Sequence, residues 1–576
     1  MSSSGRVKHS LEGTVVSMTN TVVEGGSPSE AHFPGFETTT DPTATPQYQE
    51  KPAPIRREKT IDPRAVPPVI PPDHPSRTLV VCFDGTGDQF DSDNSNIVQF
   101  VSLLKKDDRT KQLVYYQAGI GTYTSPQVAS PLMSSVTKTI DEMFALHLDA
   151  HVMGGYEFLM QNYLTGDRIC LFGFSRGAYT ARSLAGMLHK VGLLPAGNFQ
   201  QVPFAYKMYT RADDVGWEQS TEFKKAFCTD VSIEFIGVWD TVDSVGIIPR
   251  RLPFTTSNTI VRTFRHAVSL DERRAKFKAN LWNRPDEDEL KLGTSSVKPV
   301  SCKAGKLPTS RKTTEEKPKL NVFVKEDESE RDLNKLEKRY SKDIRRRLIS
   351  MKFGLRDAIV VSTIHNIGGG SVSNKTRHSL ARIPLRWMIR ECFKTDSGIM
   401  FDSASLFDIG LDPSSLYPFV VPRPPPLPVG SHKIKDPPAR PIPIRITARL
   451  KKKNFHPEVK ALLEQSVVPF LGTEEEEEVR DAMSPKYDQL RIKKPWWLIE
   501  ILPLAMRYQK GDNKWETCIG FNMGQPRFIP KQSDGFKVHR SVKMRMEAEW
   551  KDEKKRLRGK RYLPKPVFRH EPQWVD

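Results

Sequence analysis

Residues 169–185, ICLFGFSRGAYTARSLA, are the stretch that decides the fold. An apolar run at 169–172 is followed by Gly-Phe-Ser-Arg-Gly and then by a segment of helical character. Strand, G-x-S-x-G and helix in this order form the sequence context of a nucleophile elbow, where a sharp turn exposes a serine at the carboxyl end of a sheet. Ser175 is therefore the candidate nucleophile. The alternative is a tight strand-to-helix turn with an incidental serine.

Further apolar runs predict the sheet around this motif. Residues 77–83, 113–117 and 231–239 have the continuous apolar character of buried parallel strands. Residues 137–164 have amphipathic, helical spacing. Strands that alternate with helices predict a mostly parallel, doubly wound α/β sheet with helices on both faces, as in α/β-hydrolases.

Composition divides the chain into four regions. Residues 1–76 are rich in Ser, Thr, Pro and Glu and are expected to be disordered. Residues 77–420 are expected to form the hydrolase domain, with a disordered charged insertion at about 283–345. A proline-rich linker is expected at 421–445, and a C-terminal extension that packs on the hydrolase domain at 446–576. Within that extension, the acidic run Glu474–Glu478 is expected to be solvated.

The overall composition favours an enzyme or binding protein of the cytoplasm. The 576 residues carry a formal net charge of +19, which favours acidic partners such as an anionic membrane surface. No nucleic-acid-binding motif accompanies the charge, so no nucleic acid is expected as a partner. The six cysteines form no C-x-x-C pair, and neither a signal peptide nor a membrane-spanning run is seen. Protein partners cannot be inferred from these features.

A catalytic serine requires a base and a carboxylate that orients the base. Asp240 follows the strand that ends in Val-Trp and is the candidate acid; the alternative is an ordinary turn or cap aspartate. Among the histidines downstream, His365 follows a strand and precedes a triple-glycine turn, where a triad histidine is expected. His266 is a further candidate that is expected in a helix and could equally pack against or support the site, and His539 is expected to be a structural residue. His378 is the remaining histidine near ordered sequence.

The backbone amide of Arg176, the residue after the serine, is expected to donate to the oxyanion of the reaction. A second donor is expected from Gly85 or Thr86, in the turn after the first long strand. The aspartates of that turn, DGTGD, could alternatively contact a metal or a phosphate, but no second cluster supports this. No metal or organic cofactor is expected.

Taken together, the motifs resemble one family. They are LVVCFDGTGD (79–88), YQAGIG (116–121), GFSRGAYTAR (173–182), GVWDTVDSVG (237–246), HAVSLDERR (266–274), GGG (368–370), WWLIEILP (496–503) and HRSVKMR (539–545). This set resembles the α/β-hydrolase domain of the type VI secretion phospholipase effectors, a family with many fungal members. The resemblance implies a Ser-Asp-His triad that hydrolyses phospholipid acyl esters, with Ser175 and Asp240 as two of its members.

The third member departs from the family pattern. The family has His-x-Asp-Val-Gly-Gly-Gly, whereas this chain has His365-Asn-Ile-Gly-Gly-Gly. When the glycines are aligned, the family histidine falls on Ile364 and its aspartate on Asn366. Either the site is degenerate, or the segment reflects a different splice boundary. Sequencing the transcript across residues 340–372 separates the two.

The sequence therefore predicts a serine hydrolase that acts on a lipid or another small ester through Ser175, Asp240 and His365. The alternative is a catalytically degenerate hydrolase fold that acts as a binding or scaffolding module. A third alternative is a protein that binds anionic surfaces or nucleic acid through its net charge.

Overall fold

The computed structural model describes residues 66–119, 148–242, 251–283, 323–325, 332–340, 357–363, 367–436, 472–511, 514–530, 536–551, 561–566 and 571–576. Residues 1–65, predicted to be disordered, lie outside this set. So do the residues of the predicted linker beyond 436, and residues 243–250 and 364–366. Among the described residues, no helix combines the length and apolar character needed to cross a membrane.

An eight-stranded, wholly parallel sheet forms the centre of the molecule. Its strands are β2 (Thr78–Phe83), β3 (Gln112–Gln117), β4 (Arg168–Phe174), β5 (Ile233–Trp239), β6 (Val261–Ser269), β8 (Asp357–Thr363), β13 (Lys537–His539) and β15 (Gln573–Val575). Their spatial order is β15-β13-β8-β6-β5-β4-β2-β3. The predicted parallel α/β sheet is confirmed, and β4 lies inside it between β2 and β5.

Helices cover both faces of this sheet. The α-helices are α1 (Asn96–Leu103), α2 (Leu148–Asn162), α3 (Arg176–Val191), α4 (Val202–Thr210), α5 (Asp214–Phe227), α6 (332–340), α7 (Arg382–Lys394), α8 (Ser403–Leu406), α9 (Glu474–Ala482), α10 (Gln489–Ile492), α11 (Trp497–Glu500) and α12 (Arg540–Glu547). Short 3-10 helices lie at Phe199–Gln201, Ala275–Phe277, Phe407–Ile409, Pro413–Ser415 and Lys494–Trp496.

Alternate residues of the central strands enter two separate hydrophobic cores. In β2, Leu79 and Val81 pack with α2, α3 and α4, whereas Val80 and Cys82 pack with α1 and α7. Because successive side chains of a strand point to opposite faces, a sheet covered on both faces needs apolar residues at every position. This requirement explains the uninterrupted apolar runs that predicted the strands.

We expected ordered structure to begin at residue 77, but residues 66–76 already belong to the folded domain. Strand β1 (Val69–Ile70) pairs antiparallel with β9 (Phe401–Asp402), and Ile70 is fully buried in the core shared by α1 and α7. Because Ile70 is buried in this core, residues 66–76 pack against the folded domain. The remaining small strands form a second pair, β10 (Lys433–Ile434) with β14 (Glu549–Trp550), and a three-stranded sheet of β7 (Phe323–Lys325), β12 (Lys514–Phe521) and β11 (Pro503–Gly511).

Two pieces of the predicted charged insertion have regular structure. Strand β7 pairs with β12, and helix α6 packs against the rest of the domain. Leu333 and Tyr340, seven residues apart on α6, pack with Trp217 and Phe254. Glu337 on the same helix pairs with Arg251. The expectation of a disordered, mostly solvated insertion is therefore wrong for these two pieces. Residues 323–325 pair with β12, and the apolar residues of 332–340 share one helix face.

The acidic run Glu474–Glu478 is buried, contrary to expectation. It forms the first turns of α9, and four of its five glutamates are buried, Glu476 being the exposed one. Glu477 accepts hydrogen bonds from Arg377 and Arg382 at 2.9 Å each. Glu478 accepts from Arg540 at 2.8 Å and from Arg423 at 3.0 Å. Buried carboxylates require such partners, and here arginines from four segments provide them.

Helix α7 contributes three arginines on one side to the same network. Arg382, Arg386 and Arg390 are spaced four residues apart and so lie on one side of the helix. Arg386 pairs with Asp481 at 2.6 Å, and Arg390 donates to Glu474 at 2.7 Å. These arginines join α7 to α9 through charge-assisted hydrogen bonds.

The proline-rich segment also packs on this network. Arg423 lies among the prolines, and its side chain, 5% exposed, binds Glu475 and Glu478. The carbonyl of Pro424 accepts a hydrogen bond from Arg540 at 2.7 Å. The described part of the segment, 421–436, is therefore docked on α9 and α12 rather than free, because Arg423 needs the buried carboxylates as partners.

Candidate active site

Ser175 lies in a sharp turn between β4 and α3. Its backbone adopts φ 55° and ψ −117°, a conformation that L-residues rarely adopt. Although Ser175 precedes the first residue of α3, its side chain makes no capping hydrogen bond to the helix. Its amide donates to the carbonyl of Trp239 at 2.8 Å, which ties the turn to the end of β5. The hydroxyl is thus held at the carboxyl edge of the sheet and is not used to cap the helix.

The two glycines of the motif are required by close backbone packing. A Cβ at Gly173 would lie 2.6 Å from the Cα of Ala178, and a Cβ at Gly177 would lie 2.5 Å from the carbonyl oxygen of Phe83. At Gly177 the carbonyl of Asp84 would be overlapped as well. Only glycine permits these approaches. The start of α3 is therefore packed directly against the end of β2.

The turn after β2 brings Gly85 and Thr86 to this edge. Asp84 is buried; its carboxylate accepts from the Gly85 amide at 2.8 Å and from the Tyr116 hydroxyl at 2.8 Å. Burial raises the pKa of Asp84 above its ordinary value. Since the Gly85 amide is already engaged, Thr86 is the better candidate donor of the two. Neither its amide nor its hydroxyl has a hydrogen-bond partner among the described residues.

Three further glycine motifs meet at the same place. A Cβ at Gly85 would lie 2.5 Å from the ring of Phe174, and a Cβ at Gly368 would overlap that ring. A Cβ at Gly119 would overlap the carbonyl group of Gly85. The motifs that follow β2, β3 and β8 therefore converge on the Ser175 turn.

Asp240 follows β5 directly and is buried at the same edge. Its φ of 50° turns the chain sharply at the end of the strand. Its amide donates to the carbonyl of Ala267 at 2.7 Å, and its Oδ1 accepts from the Ser269 amide at 3.0 Å. The amide of Val242, two residues on, donates to the Ser175 carbonyl at 3.4 Å. The Ser175 and Asp240 turns are therefore joined through their backbones.

Arg527 binds the Asp240 carboxylate, and sequence reasoning did not identify it. Its guanidinium contacts both oxygens of Asp240, donating to Oδ2 at 3.1 Å, and it also donates to the carbonyls of Ser269 and Phe277. The pair is largely buried. Arg527 lies 287 residues from Asp240, and no local pattern around it signals a partner. It ties the C-terminal extension to the candidate acid.

We expected His266 in a helix, but it lies in strand β6. It is fully buried, and its Nε2 accepts from the amide of Thr241 at 3.0 Å. Burial, together with the nearby cations of Arg182 and Arg527, lowers the pKa of His266 well below its ordinary value. The ring is therefore a neutral group that fixes the turn after Asp240, in keeping with the packing role considered for it.

The other candidate histidines divide into two groups. His365 lies outside the described residues, so the structure assigns it no position. His378 and His539 are described, and both lie beside glutamates of α9: His378 Nε2 is 3.8 Å from Glu477, and His539 Nε2 is 3.5 Å from Glu478. In the described part of the chain, no histidine forms a hydrogen bond with Ser175. The same residues contain no group of three or more His, Cys, Asp and Glu that could hold a metal ion.

Comparison with known proteins finds a similar protein in yeast and two solved structures with weaker similarity. The chain is 29% identical over 540 residues to the uncharacterized protein YEL023C of Saccharomyces cerevisiae, covering 79% of this chain and 77% of that protein. A solved structure of an uncharacterized protein from Pseudomonas aeruginosa is 15% identical, with a TM-score of 0.27. That comparison covers 56% of this chain and 46% of the bacterial chain, so this chain spans about half of that protein.

A second solved structure is that of the Tle1 effector bound to the VgrG spike from the type 6 secretion system. It is 14% identical, covers 80% of this chain and 94% of that chain, and has a TM-score of 0.24. TM-scores of this size establish no shared fold. The sequence match is more informative: residues 77–391, more than half of the chain, match the family described as "T6SS, Phospholipase effector Tle1-like, catalytic domain". This protein therefore belongs to the Tle1-like phospholipase effector family.

Proposed function

We propose that the protein is a serine hydrolase that cleaves carboxylic esters of lipids, with Ser175 as its nucleophile. The observation that carries the proposal is the strained Ser175 turn, φ 55° and ψ −117°, between the central strand β4 and helix α3. A serine in this turn, at the carboxyl edge of a parallel sheet, is typical of a nucleophile elbow. Membership of a phospholipase effector family supports a lipid ester as the substrate class.

In the proposed reaction, the Ser175 oxygen attacks the ester carbonyl carbon while its proton passes to a histidine, His365. The resulting oxyanion accepts hydrogen bonds from the amides of Arg176 and Thr86. Collapse of this intermediate breaks the ester C–O bond, and the leaving alcohol takes the proton from the histidine. Water, activated by the same base, then releases the fatty acid and restores the serine.

The packing around α3 supports this choice of oxyanion donors. Because Gly177 lies against the backbone of Phe83 and Asp84, the start of α3 and the Asp84–Thr86 turn are immediate neighbours. The amide that follows the nucleophile and an amide from the loop after an early strand are the usual donors in this fold. Thr86 supplies the second amide because Asp84 already occupies that of Gly85.

Asp240 is the proposed orienting acid. Its Oδ1 is bound by Ser269 and Arg527, while its Oδ2 accepts one hydrogen bond among the described residues, from Arg527. A carboxylate oxygen accepts two hydrogen bonds, so Oδ2 retains capacity for an imidazole N–H. The guanidinium of Arg527 then holds the Asp240 carboxylate in place while Asp240 orients the histidine.

The test compares Ser175→Ala with Ser102→Ala, an exposed serine of α1 that serves as the matched control. Hydrolysis of a soluble aryl ester and labelling by a serine-reactive phosphonate are measured for the full chain and both variants. We expect Ser175→Ala to lose both signals and Ser102→Ala to keep them. Equal labelling of wild type and Ser175→Ala would contradict the proposed nucleophile.

One observation favours a second candidate, a hydrolase fold that binds without catalysing. The Asp240 carboxylate already has a complete structural role as the buried partner of Arg527, which it would keep in an inactive protein. His365→Ala distinguishes the two functions once the serine result is known. A hydrolytic wild type whose activity falls by orders of magnitude in His365→Ala supports the triad. A wild type no more active than Ser175→Ala supports the binding module.

A further inference from the structure

The C-terminal extension has an exposed apolar surface that none of the catalytic steps uses. It comprises six side chains that are each about half exposed or more, and we refer to them as the apolar face: Leu498, Ile501, Leu502, Ile519, Phe521 and Met523. A soluble protein rarely exposes large apolar side chains in a cluster unless the cluster contacts a partner or a membrane.

The secondary structure makes these six residues neighbours. Leu498, Ile501 and Leu502 lie in and just after α11, and the Met523 amide donates to the carbonyl of Glu500 at 3.0 Å. Phe521 is paired across the β11–β12 hairpin with Pro503, which follows Leu502. Ile519 lies two residues before Phe521 and is therefore on the same side of β12. The apolar face is thus continuous.

Cations border this face. Arg491, Lys493 and Lys494 are exposed immediately before α11. Among the described residues, Lys493 and Lys494 have no ion-pair partner, whereas Arg491 lies 3.7 Å from Asp488. Within 491–505 and 519–528 the only carboxylate is Glu500, which is buried. Exposed charge in these two segments is therefore wholly positive.

A surface hollow of about 530 Å³ lies at the border between the cations and the apolar residues. It is lined by Arg273, Leu490, Arg491, Lys494 and Trp497. The guanidinium of Arg273 lies 6.0 Å from the centre of a Trp497 ring. Tryptophan and basic residues around an apolar surface are the combination found where proteins meet the headgroup region of a bilayer.

Buried polar contacts fix the face to the candidate active site. Glu500 accepts from the amides of Ala275 at 2.7 Å and Gly524 at 2.9 Å. Asn522, between Phe521 and Met523, accepts from Lys278 at 2.7 Å. The same segment, 273–278, is also held by Arg527, which donates to Phe277 and binds Asp240. The face is therefore a rigid part of the domain that carries the site.

We propose that the apolar face, with its border of Arg491, Lys493 and Lys494, docks the protein on an anionic phospholipid bilayer. This inference rests on the proposed function only for its purpose, which is to bring lipid esters to Ser175. The apolar side chains enter the headgroup region, and the lysines contact anionic headgroups. The formal net charge of +19 favours the same partner at longer range.

Vesicle sedimentation of the full-length Ser175→Ala protein tests docking without hydrolysis. The probes are phosphatidylcholine vesicles with and without phosphatidylserine. Leu498→Glu changes the apolar face, and Leu164→Glu is its control because the two leucines are 65% and 63% exposed. Leu164 lies before β4, at the amino end of the strand, whereas Ser175 follows its carboxyl end. Thermal unfolding of both variants shows whether either change disturbs the fold.

We expect Leu498→Glu to abolish sedimentation with anionic vesicles and Leu164→Glu to leave it unchanged. Reversing both lysines, Lys493→Glu with Lys494→Glu, lowers the apparent affinity by more than tenfold, because each basic side chain near an anionic surface contributes about fivefold. Binding that is equal for all variants overturns the proposal. A second result would also overturn it: the chain does not bind vesicles but self-associates, and Leu498→Glu removes the self-association. The apolar face would then join two copies of the chain.

The outcome is separable from that of the proposed function. If the protein binds vesicles but the wild type does not hydrolyse a soluble ester, the docking proposal is supported and the proposed hydrolase activity is contradicted. If the wild type hydrolyses a soluble ester but does not bind vesicles, the proposed hydrolase activity is supported and the docking proposal is contradicted.

Discussion

Replacing Glu478 by glutamine tests the buried Arg–Glu network most directly. Glu478 is almost fully buried, and its carboxylate binds Arg423 and Arg540 while lying 3.5 Å from His539. Burial by itself would raise the pKa of Glu478. The charges of Arg423, His539 and Arg540 outweigh that effect and lower the pKa from 4.5 to about 2.

The pKa difference gives the expected magnitude. A pKa that falls from 4.5 to about 2 corresponds to about 3 kcal/mol of favourable interaction with the ionised carboxylate. Removing one member of a buried charge pair typically costs about 3–5 kcal/mol, because the partner charges stay buried. We therefore expect Glu478→Gln to lower the free energy of unfolding by about 3 kcal/mol at neutral pH. Glu476→Gln is the matched control from the same acidic run; since Glu476 is exposed, its loss should stay below about 1 kcal/mol.

Urea unfolding of the full chain measures both changes. Tryptophan fluorescence and far-UV circular dichroism are followed together, and free energies are compared where the two transitions coincide. The folded-state pKa of Glu478 lies below its unfolded value, so its stabilisation is complete above pH 4.5 and is lost as the pH falls through about 2. The difference between wild type and Glu478→Gln should accordingly narrow below pH 4.5. Equal losses for the glutamine variants at 478 and 476 would refute the assignment of Glu478 to a stabilising network.

Three further predictions concern the site and its supports. Arg527→Met leaves the buried Asp240 carboxylate without its cation and should destabilise the protein by about 3–5 kcal/mol in urea unfolding; a loss under about 1 kcal/mol would contradict the buried pair. Gly177→Ala should lower both stability and ester hydrolysis because its Cβ meets the backbone of β2, whereas Gly154→Ala, with no neighbour closer than 3.3 Å in helix α2, should be neutral or stabilising by up to about 1 kcal/mol; similar behaviour of the two alanines would refute the packing argument. The His539 side chain caps α12 by accepting a hydrogen bond from the Ser541 amide, and burial, with the cations around it, lowers its pKa from 6.5 to about 4. As the pH falls from 6.5 to about 4, stability should therefore fall, and it should fall less in His539→Asn, which keeps an acceptor for that amide; an unchanged profile in that variant would assign the acid loss to other groups.

The sequence predicted the parts of the fold that local pattern determines. Uninterrupted apolar runs identified β2, β4 and β5, because a sheet covered on both faces needs apolar residues at every position. The glycines around Ser175 identified the turn, because few residue types tolerate its backbone and its close contacts. These features depend on residues near each other in the chain.

Features that depend on distant partners were not predicted. The run Glu474–Glu478 was expected in solvent because its sequence shows charge and not the arginines that cover it. Arg527 is the partner of Asp240 from 287 residues away, and its neighbours carry no motif. His266 was expected in a helix, yet tertiary packing places it in a strand that is buried on both faces. Pairing and burial decide such positions, and neither can be read from a local window.

The order of the strands in the central sheet has a consequence for how the protein is made. Strands β2 to β6 are synthesised early, but β13 and β15 complete the other edge of the same sheet and are translated several hundred residues later. Arg527, the partner of Asp240, emerges in the same late portion. Until then, a ribosome-bound chain has an unpaired sheet edge and an unneutralised carboxylate at its candidate site. Assembly of the candidate site is therefore postponed until the segments that carry Arg527, β13 and β15 have been synthesised.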